Sequence, residues 1–503
     1  ENVSCTTQTI GALFPATAKP NQDSTGLVAH ELAHQWFGDL ITTHDWSHIW
    51  LNEGWASFLP NFWDRQKYGE ERYDLDRLGV FQGGLAAHVA EPDRPMVWTH
   101  YEEPIDMFDN YAYPGGASRM FMLMHQVGED KFWPAITNYL NEYKFKNVTT
   151  EQFFASMSKS LGVDLDEFRK QWFYTPAAPS LTVGKNGDAV MIHQGKIPFH
   201  LPLDIWLIDD KGTIEKRHVD LPAAPDYEIS DVRGRLVLLD PAVWLMANIS
   251  YDLGYESSDW RRLYDLAPNA AEKERILQAS FQSFSLDDKL ALARHEKSEA
   301  MLERIIPQVP DSDYLVEMTH DPDTRVVAAA VRALGQTTKT QASEDRLREI
   351  WTTTTNDTVR QAAFDSLLNL TNDEELANGG LATDSYNEGI RQSAMRWWQA
   401  HNPDHARELA IKALQSKQAS EPVKLTAMSM LGSLKDKPGE HVAYDLLVSY
   451  LKDRSNSPLR TAIGALAEYG DKAAIPLIRA RAKHSLHFVR RDVKAALARL
   501  GAE

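Results

Sequence analysis

One cysteine, Cys5, in 503 residues leaves no partner for an intramolecular disulfide. That scarcity suits a reducing compartment and favours the cytoplasm. A periplasmic or secreted location stays open, because position 1 is Glu rather than Met and any leader would already have been removed. Apolar runs are short as well. None approaches the roughly 20 residues that cross a bilayer, so no membrane span is expected. Positive charge is also in deficit: 53 Lys and Arg stand against 71 Asp and Glu, a net charge of −18. A nucleic-acid binder needs a basic face to meet phosphates, so that class is set aside.

What is present divides into three zones, in keeping with a length that exceeds a single core. Residues 1–178 are rich in aromatics, with helical patterns at about 25–40, 50–67, 113–127, 130–143, 150–161 and 165–174. Pro176 and Pro179 punctuate the end of this zone. In residues 179–250 apolar positions alternate through Leu201, Leu203, Ile205 and Leu207, before the turn signal Asp-Asp-Lys-Gly at 209–212. A second strand signal lies at 235–240.

Residues 251–503 read as helix throughout, and they repeat. A polar or turn residue, then Arg or Lys, then alanine-rich apolar positions recur at 323–334, 357–368, 388–398, 421–431, 457–466 and 487–497. The basic residues are Arg325, Arg360, Arg391, Lys424, Arg460 and Arg490, spaced by 30 to 36 residues. That interval suits one helix pair per unit, stacked into an α-solenoid similar to HEAT repeats.

Chemistry concentrates near the start. Residues 28–39 contain His30-Glu31-Leu32-Ala33-His34. On a helix, positions i and i+4 share a face, so both imidazoles can point at one metal ion while Glu31 projects beside it. Two histidines with a carboxylate, and one position left for water, is the composition of a catalytic zinc site. A chance HExxH is expected in roughly a few per cent of chains this rich in histidine, so the motif alone does not decide. Context does. Eighteen residues beyond His34 stands Glu53, among Trp50, Leu51, Trp55 and Phe58. Carboxylates rarely occupy so apolar a segment unless they are paired or bound to metal. His44 and His48 lack helical spacing to the pair and are read as loop or packing residues. Trp36, Phe37, Trp46, Trp50 and Trp55 are expected to form the core beneath the site.

The segment HELAHQWFGD, followed by LNEGWA at the HExxH-x18-E spacing, resembles the M1 (gluzincin) family of zinc aminopeptidases. The resemblance implies a multidomain, mainly α fold. It would comprise a thermolysin-like catalytic domain at 1–178, a small β-sandwich at 179–250 and a HEAT-like α-solenoid at 251–503. It implies one Zn2+ per chain, held by His30, His34 and Glu53, with Glu31 as general base. The family's tyrosine matches Tyr113, 60 residues after Glu53, with Tyr111 as the competing candidate. The lysine usual in that motif is replaced by Gly115. Glu1 and Asn2 match the last two residues of the family's amine-binding strand, which implies that its N-terminal β-rich domain precedes this numbering.

The expected function is removal of N-terminal residues from peptides with a free N-terminus. The alternatives are a zinc endopeptidase or other zinc hydrolase, and a helical-repeat scaffold with a decayed site. A protein partner for the repeats is compatible with either class.

Overall fold

The computed structural model describes residues 2–502, and the chain divides into two compact units. The first comprises Glu1–Phe14 and Asp23–Gln308, and the second Pro15–Gln22 and Val309–Glu503. Helix dominates both. Among the described residues no helix is long and apolar enough to cross a membrane.

The first unit opens with helices α1 (Thr25–Ala33), α2 (Trp50–Phe58), α3 (Pro60–Tyr68) and α4 (Glu70–Ala90). They are followed by α5 (Gly116–Val127), α6 (Glu129–Tyr143), α7 (Thr150–Leu161) and α8 (Asp166–Arg169). Two sequence expectations need correction, and one helix was missed. The helix expected over 25–40 stops at Ala33, because the chain turns back through Gly38, whose φ of +137° suits only glycine. The pattern at 50–67 is two helices, since Pro60 starts a new one at its first turn. The 21-residue α4 was not legible at all. It carries Gly79, Gly83 and Gly84, and each glycine costs a helix about 1 kcal/mol relative to alanine. Two of them are required by packing: a Cβ on Gly83 would lie 2.8 Å from Pro114 Cβ, and one on Gly84 2.8 Å from Ser118 Oγ.

By contrast α7 is signalled locally. Thr149 and Gln152 form a capping box at its start, and Gly162 ends it in the left-handed conformation. The core of this part is aromatic: Trp55, Phe58, Phe121, Phe132 and Phe153 are all completely buried.

Two sheets follow. We number the two short strands Thr42–Thr43 and Asn147–Val148 β1 and β2; they pair in parallel. A four-stranded sheet then contains β3 (Ser180–Asn186), β4 (Ala189–Gln194), β7 (Asp226–Ile229) and β9 (Asn248–Asp252), in the order β7-β4-β3-β9. A three-stranded sheet, β6-β5-β8, joins Ile214–Leu221, Leu201–Ile208 and Leu236–Leu239. Leu181, Val183 and Ile192 from one sheet and Leu203, Ile205 and Leu239 from the other share one core with the helices. The helix Ala270–Ser280 also belongs to this unit, with Arg275 donating to the carbonyls of Leu239 and Asp240 at 2.7 and 2.8 Å.

The second unit is a run of helices in which each repeat motif is one helix. Thr324–Leu334, Asp357–Leu370, Glu388–His401, Glu421–Leu434, Asn456–Tyr469 and His487–Arg499 alternate with shorter or more polar partners, and each packs on the next of the six. A polar residue at or just before the start of three motifs is an N-cap: the side chains of Asp323, Asn356 and Asn387 accept from Arg325, Val359 and Gly389 N–H. Alanines such as Ala329, Ala363, Ala394 and Ala462 are buried, which lets the backbones approach. Residues 15–22, far away in sequence, join this unit: Asn356 Nδ2 donates to Lys19 O at 3.0 Å and Thr324 Oγ1 to Asn21 Oδ1 at 2.9 Å.

Candidate metal centre

His30 lies in the last turn of α1, and His34 is the residue that ends it, its N–H still bonded to His30 O. One helical turn brings the two rings edge to face, with centroids 4.8 Å apart and planes at 82°. Beyond His34 the chain reverses, and Asp39 N–H returns to His34 O at 2.9 Å. Phe37, inside that reversal, stacks on Trp55 of α2 at 4.4 Å and 12°. The stacking ties the end of α1 to the middle of α2. Glu53 stands in the first turn of α2 and faces the two histidines.

The resulting triangle is compact. His34 Nε2 lies 3.2 Å from His30 Nε2, and Glu53 Oε2 lies 3.3 and 3.4 Å from the two nitrogens. Tetrahedral zinc bonds of about 2.0–2.2 Å place ligand atoms about 3.3–3.6 Å apart, so the group fits such an ion closely. Three further features agree. Among the described residues Glu53 Oε2 is buried without a well-directed hydrogen bond, as suits an oxygen shaped to meet a cation. Burial opposes ionisation of Glu53, but the facing His30 and His34 rings outweigh it and hold its carboxyl down at about 2. His34 Nδ1 meets Phe37 O at 3.0 Å, a contact that assigns the proton to Nδ1 and leaves Nε2 as the donor atom for a metal. His30 is the most exposed of the three: its side chain is 18% exposed, against 2% for His34 and 4% for Glu53.

Glu31, next to His30 on α1, is half-buried. Tyr113 lies in a wide π-turn, Tyr111–Gly115, that leads into α5. Its ring stacks on His30 at 5.9 Å and 13°. Tyr111 is buried instead and donates its hydroxyl to Glu91 O at 2.6 Å, away from the triangle. The turn is set against Glu53 by two glycines. A Cβ on Gly54 would lie 2.8 Å from Gly116 Cα, and one on Gly116 2.6 Å from Gly54 Cα. Only glycine at both positions allows α2 and α5 to cross this closely.

Asn2 is exposed, and Gln35 holds its segment: Gln35 Nε2 donates to Asn2 O at 2.9 Å and Ser4 N–H donates to Gln35 Oε1 at 2.7 Å. Glu1 lies outside the described residues. His48 is buried against Thr150 Oγ1 at 2.9 Å, and His44 is an exposed partner of Asp45. The expected aromatic floor needs one correction. Phe37, Trp50 and Trp55 are buried, whereas Trp36 and Trp46 are 45% and 42% exposed, outside that core. The contacts that sequence reasoning missed are Phe37 O, Gln35 and the Gly54–Gly116 pair. Of these only the glycines left a trace, as Gly54 in the LNEGWA segment and Gly116 after Tyr113. A cavity of about 320 Å³ elsewhere in the unit is walled by Trp172, Trp244 and His200, and none of the triangle's residues lines it.

Residues 1–172 match the model of the peptidase family M1 domain. Those residues are thus similar to the M1 peptidase family along their whole length. A HEAT-repeat model matches residues 297–368, within the helical run. The M1 region is similar to "Probable aminopeptidase 1" of Sulfurisphaera tokodaii, at 34% identity over 34% of this chain and 22% of that protein. It is also similar to "Leucyl aminopeptidase" of Saccharolobus solfataricus, at 32% identity over 33% of this chain and 22% of that protein. A longer match, to "Aminopeptidase A" of Gloydius brevicauda, has 24% identity over 75% of this chain and 42% of that protein. The chain thus spans between about a fifth and two-fifths of the length of these relatives.

Proposed function

We propose that the chain is a zinc-dependent aminopeptidase, with His30, His34 and Glu53 holding one Zn2+ and Glu31 acting as general base. The observation that carries this reading is the 3.2–3.4 Å triangle of donor atoms, with Tyr113 stacked on His30. The M1 family match and the relatives named aminopeptidases support it. In this reading residues 1–178 are a thermolysin-like catalytic domain, 179–250 a small β-sandwich and 251–503 the helical repeats.

Bound zinc would acidify a water molecule and polarise the scissile carbonyl, the two obstacles to amide hydrolysis at neutral pH. Glu31 takes the proton from the attacking water and passes it to the departing amine, serving first as base and then as acid. The Tyr113 hydroxyl donates to the oxygen that becomes negative as the carbonyl turns tetrahedral. Glu1 binds the substrate ammonium, with Asn2 beside it, and so counts one residue from the chain end. Gln35 holds the Asn2 and Ser4 backbone and thereby the segment next to that anchor.

The test is cleavage of aminoacyl arylamides by zinc-loaded protein. Glu31→Gln is expected to keep its zinc and lose turnover. N-acetylation of the substrate is expected to stop cleavage. Stoichiometric zinc without turnover in the wild type refutes the reading, and equal cleavage of acetylated substrates turns it into an endopeptidase.

A further inference from the structure

Tyr113 owes its place to an irregular piece of backbone. In the turn Tyr111–Gly115, Gly115 N–H reaches back five residues to Asn110 O at 2.9 Å. Such π-turns are rare and recur at functional sites. Two sets of side chains grip this one. At its start the Asp109 carboxylate accepts from the N–H groups of Tyr111 and Ala112 at 2.9 and 3.1 Å and pairs with Arg94. At its end the Gly115 carbonyl accepts from Arg119 Nη1 at 2.9 Å. Arg119 is completely buried, and its other nitrogens reach Trp172 O and His88 Nε2, the latter at 3.2 Å.

A guanidinium only donates. His88 Nε2 is therefore the accepting, unprotonated nitrogen, and the ring proton is on Nδ1. Nδ1 faces the Tyr111 hydroxyl at 3.3 Å, and that hydroxyl gives its own proton to Glu91 O at 2.6 Å. The hydrogen bonds run in one direction, from Arg119 to His88 to Tyr111 to Glu91. They span both ends of the turn. Burial, and then the charge of Arg119, hold the His88 pKa down at about 3, so the ring stays neutral near neutral pH. None of these groups belongs to the metal triangle.

We propose that Arg119 and His88 are positioning residues of the hydrolytic site: through Gly115 and Tyr111 they hold the turn that sets Tyr113 against His30. This rests on the aminopeptidase reading with Tyr113 as hydrogen-bond donor. His88→Leu leaves an Arg119 N–H without its acceptor, removes the bond that the Tyr111 hydroxyl accepts, and lets the turn shift. Misplacement by about 1 Å costs on the order of 100-fold, so kcat is expected to fall by roughly 10- to 100-fold with KM nearly unchanged. His88→Gln, with one acceptor and one donor, is expected to recover part of that loss.

The deciding experiment is a double-mutant cycle on zinc-loaded protein with an aminoacyl arylamide. In a Tyr113→Phe background the His88→Leu loss is expected to shrink to within about twofold, because the group being positioned is already absent. A loss of undiminished size in that background overturns the proposal, since a general structural defect would act regardless of Tyr113. Wild-type turnover is measured first: its absence refutes the aminopeptidase reading, whereas turnover with an additive cycle refutes the positioning role alone. If His88→Leu fails to fold, Tyr111→Phe replaces it in the cycle with the same two outcomes. Nitrogen-15 NMR of the His88 ring gives a readout independent of activity. The neutral Nδ1–H tautomer is expected from pH 5 to 8, and an Nε2–H or cationic ring overturns the directed chain.

Discussion

Gly54→Ala perturbs the centre without touching a ligand. The new Cβ would lie 2.8 Å from Gly116 Cα and 3.3 Å from Ala112 O, both backbone atoms in buried elements. No side-chain rotation relieves such a contact. Carbon atoms settle at about 3.5–4.0 Å, so α2 must move from α5 by roughly 1 Å. Metal–ligand distances tolerate about 0.2 Å. Glu53, the neighbouring residue, therefore cannot keep its 3.3 and 3.4 Å separations from the two histidines without rearrangement. We expect zinc affinity to fall by about 10- to 100-fold, as when groups that orient ligands are disturbed, and stability by about 1–3 kcal/mol. Competition against a chromophoric chelator measures the first and denaturant unfolding the second. Gly432→Ala is the control: its Cβ would meet Ala465 O at 2.8 Å and Ala465 Cα at 2.9 Å, a comparable overpacking in the second unit. It is expected to destabilise its own unit and leave zinc affinity unchanged. Folded Gly54→Ala protein with wild-type zinc affinity would refute the argument that this glycine pair sets the geometry.

Tyr113→Phe is expected to lower kcat by about 100- to 1000-fold while zinc content stays at one per chain, by metal analysis; a normal rate would remove Tyr113 from the chemistry. His88 links stability to pH. Its folded pKa of about 3 lies below the ordinary value of about 6.5, so its contribution is complete above pH 6.5. Between there and pH 3 the unfolded chain binds the proton first, and stability is lost at up to about 1.4 kcal/mol per pH unit. Denaturant unfolding at pH 7 and pH 5 should show a smaller difference in His88→Gln than in wild type, and equal differences would refute the assignment. Chelation should lower the melting temperature of the first unit. Losing a metal held at 100 times its dissociation constant removes about 2.7 kcal/mol, and calorimetry with and without chelator checks it.

How much was legible in the sequence follows from how local each feature is. The His30–His34 spacing is one helical turn, and the geometry of that turn is the same in any helix. The repeats of the second unit were readable for the same reason: each motif carries its own apolar face, and three of the helices also have a local side-chain N-cap, at Asp323, Asn356 and Asn387. The helix α4 was hidden because Gly83 and Gly84 serve contacts with Pro114 and Ser118, more than 30 residues away. Trp36 and Trp46 looked like core by composition, and only the folded chain shows them exposed.

By itself, the sequence determined the kinds of donor atoms, their spacing along the chain, the repeat period and the resemblance of its first 172 residues to a peptidase domain. Tertiary structure alone decided the convergence of Glu53 on the two histidines, which depends on Phe37 stacking on Trp55 and on the bare backbones of Gly54 and Gly116 meeting. It also separated two tyrosines only two residues apart. Tyr111 is tied to His88 and Glu91 while Tyr113 faces His30, because a π-turn with contacts to three distant helices orients them. Spacing along a chain carries the geometry of one helix, and the approach of two helices is set by what their side chains leave out.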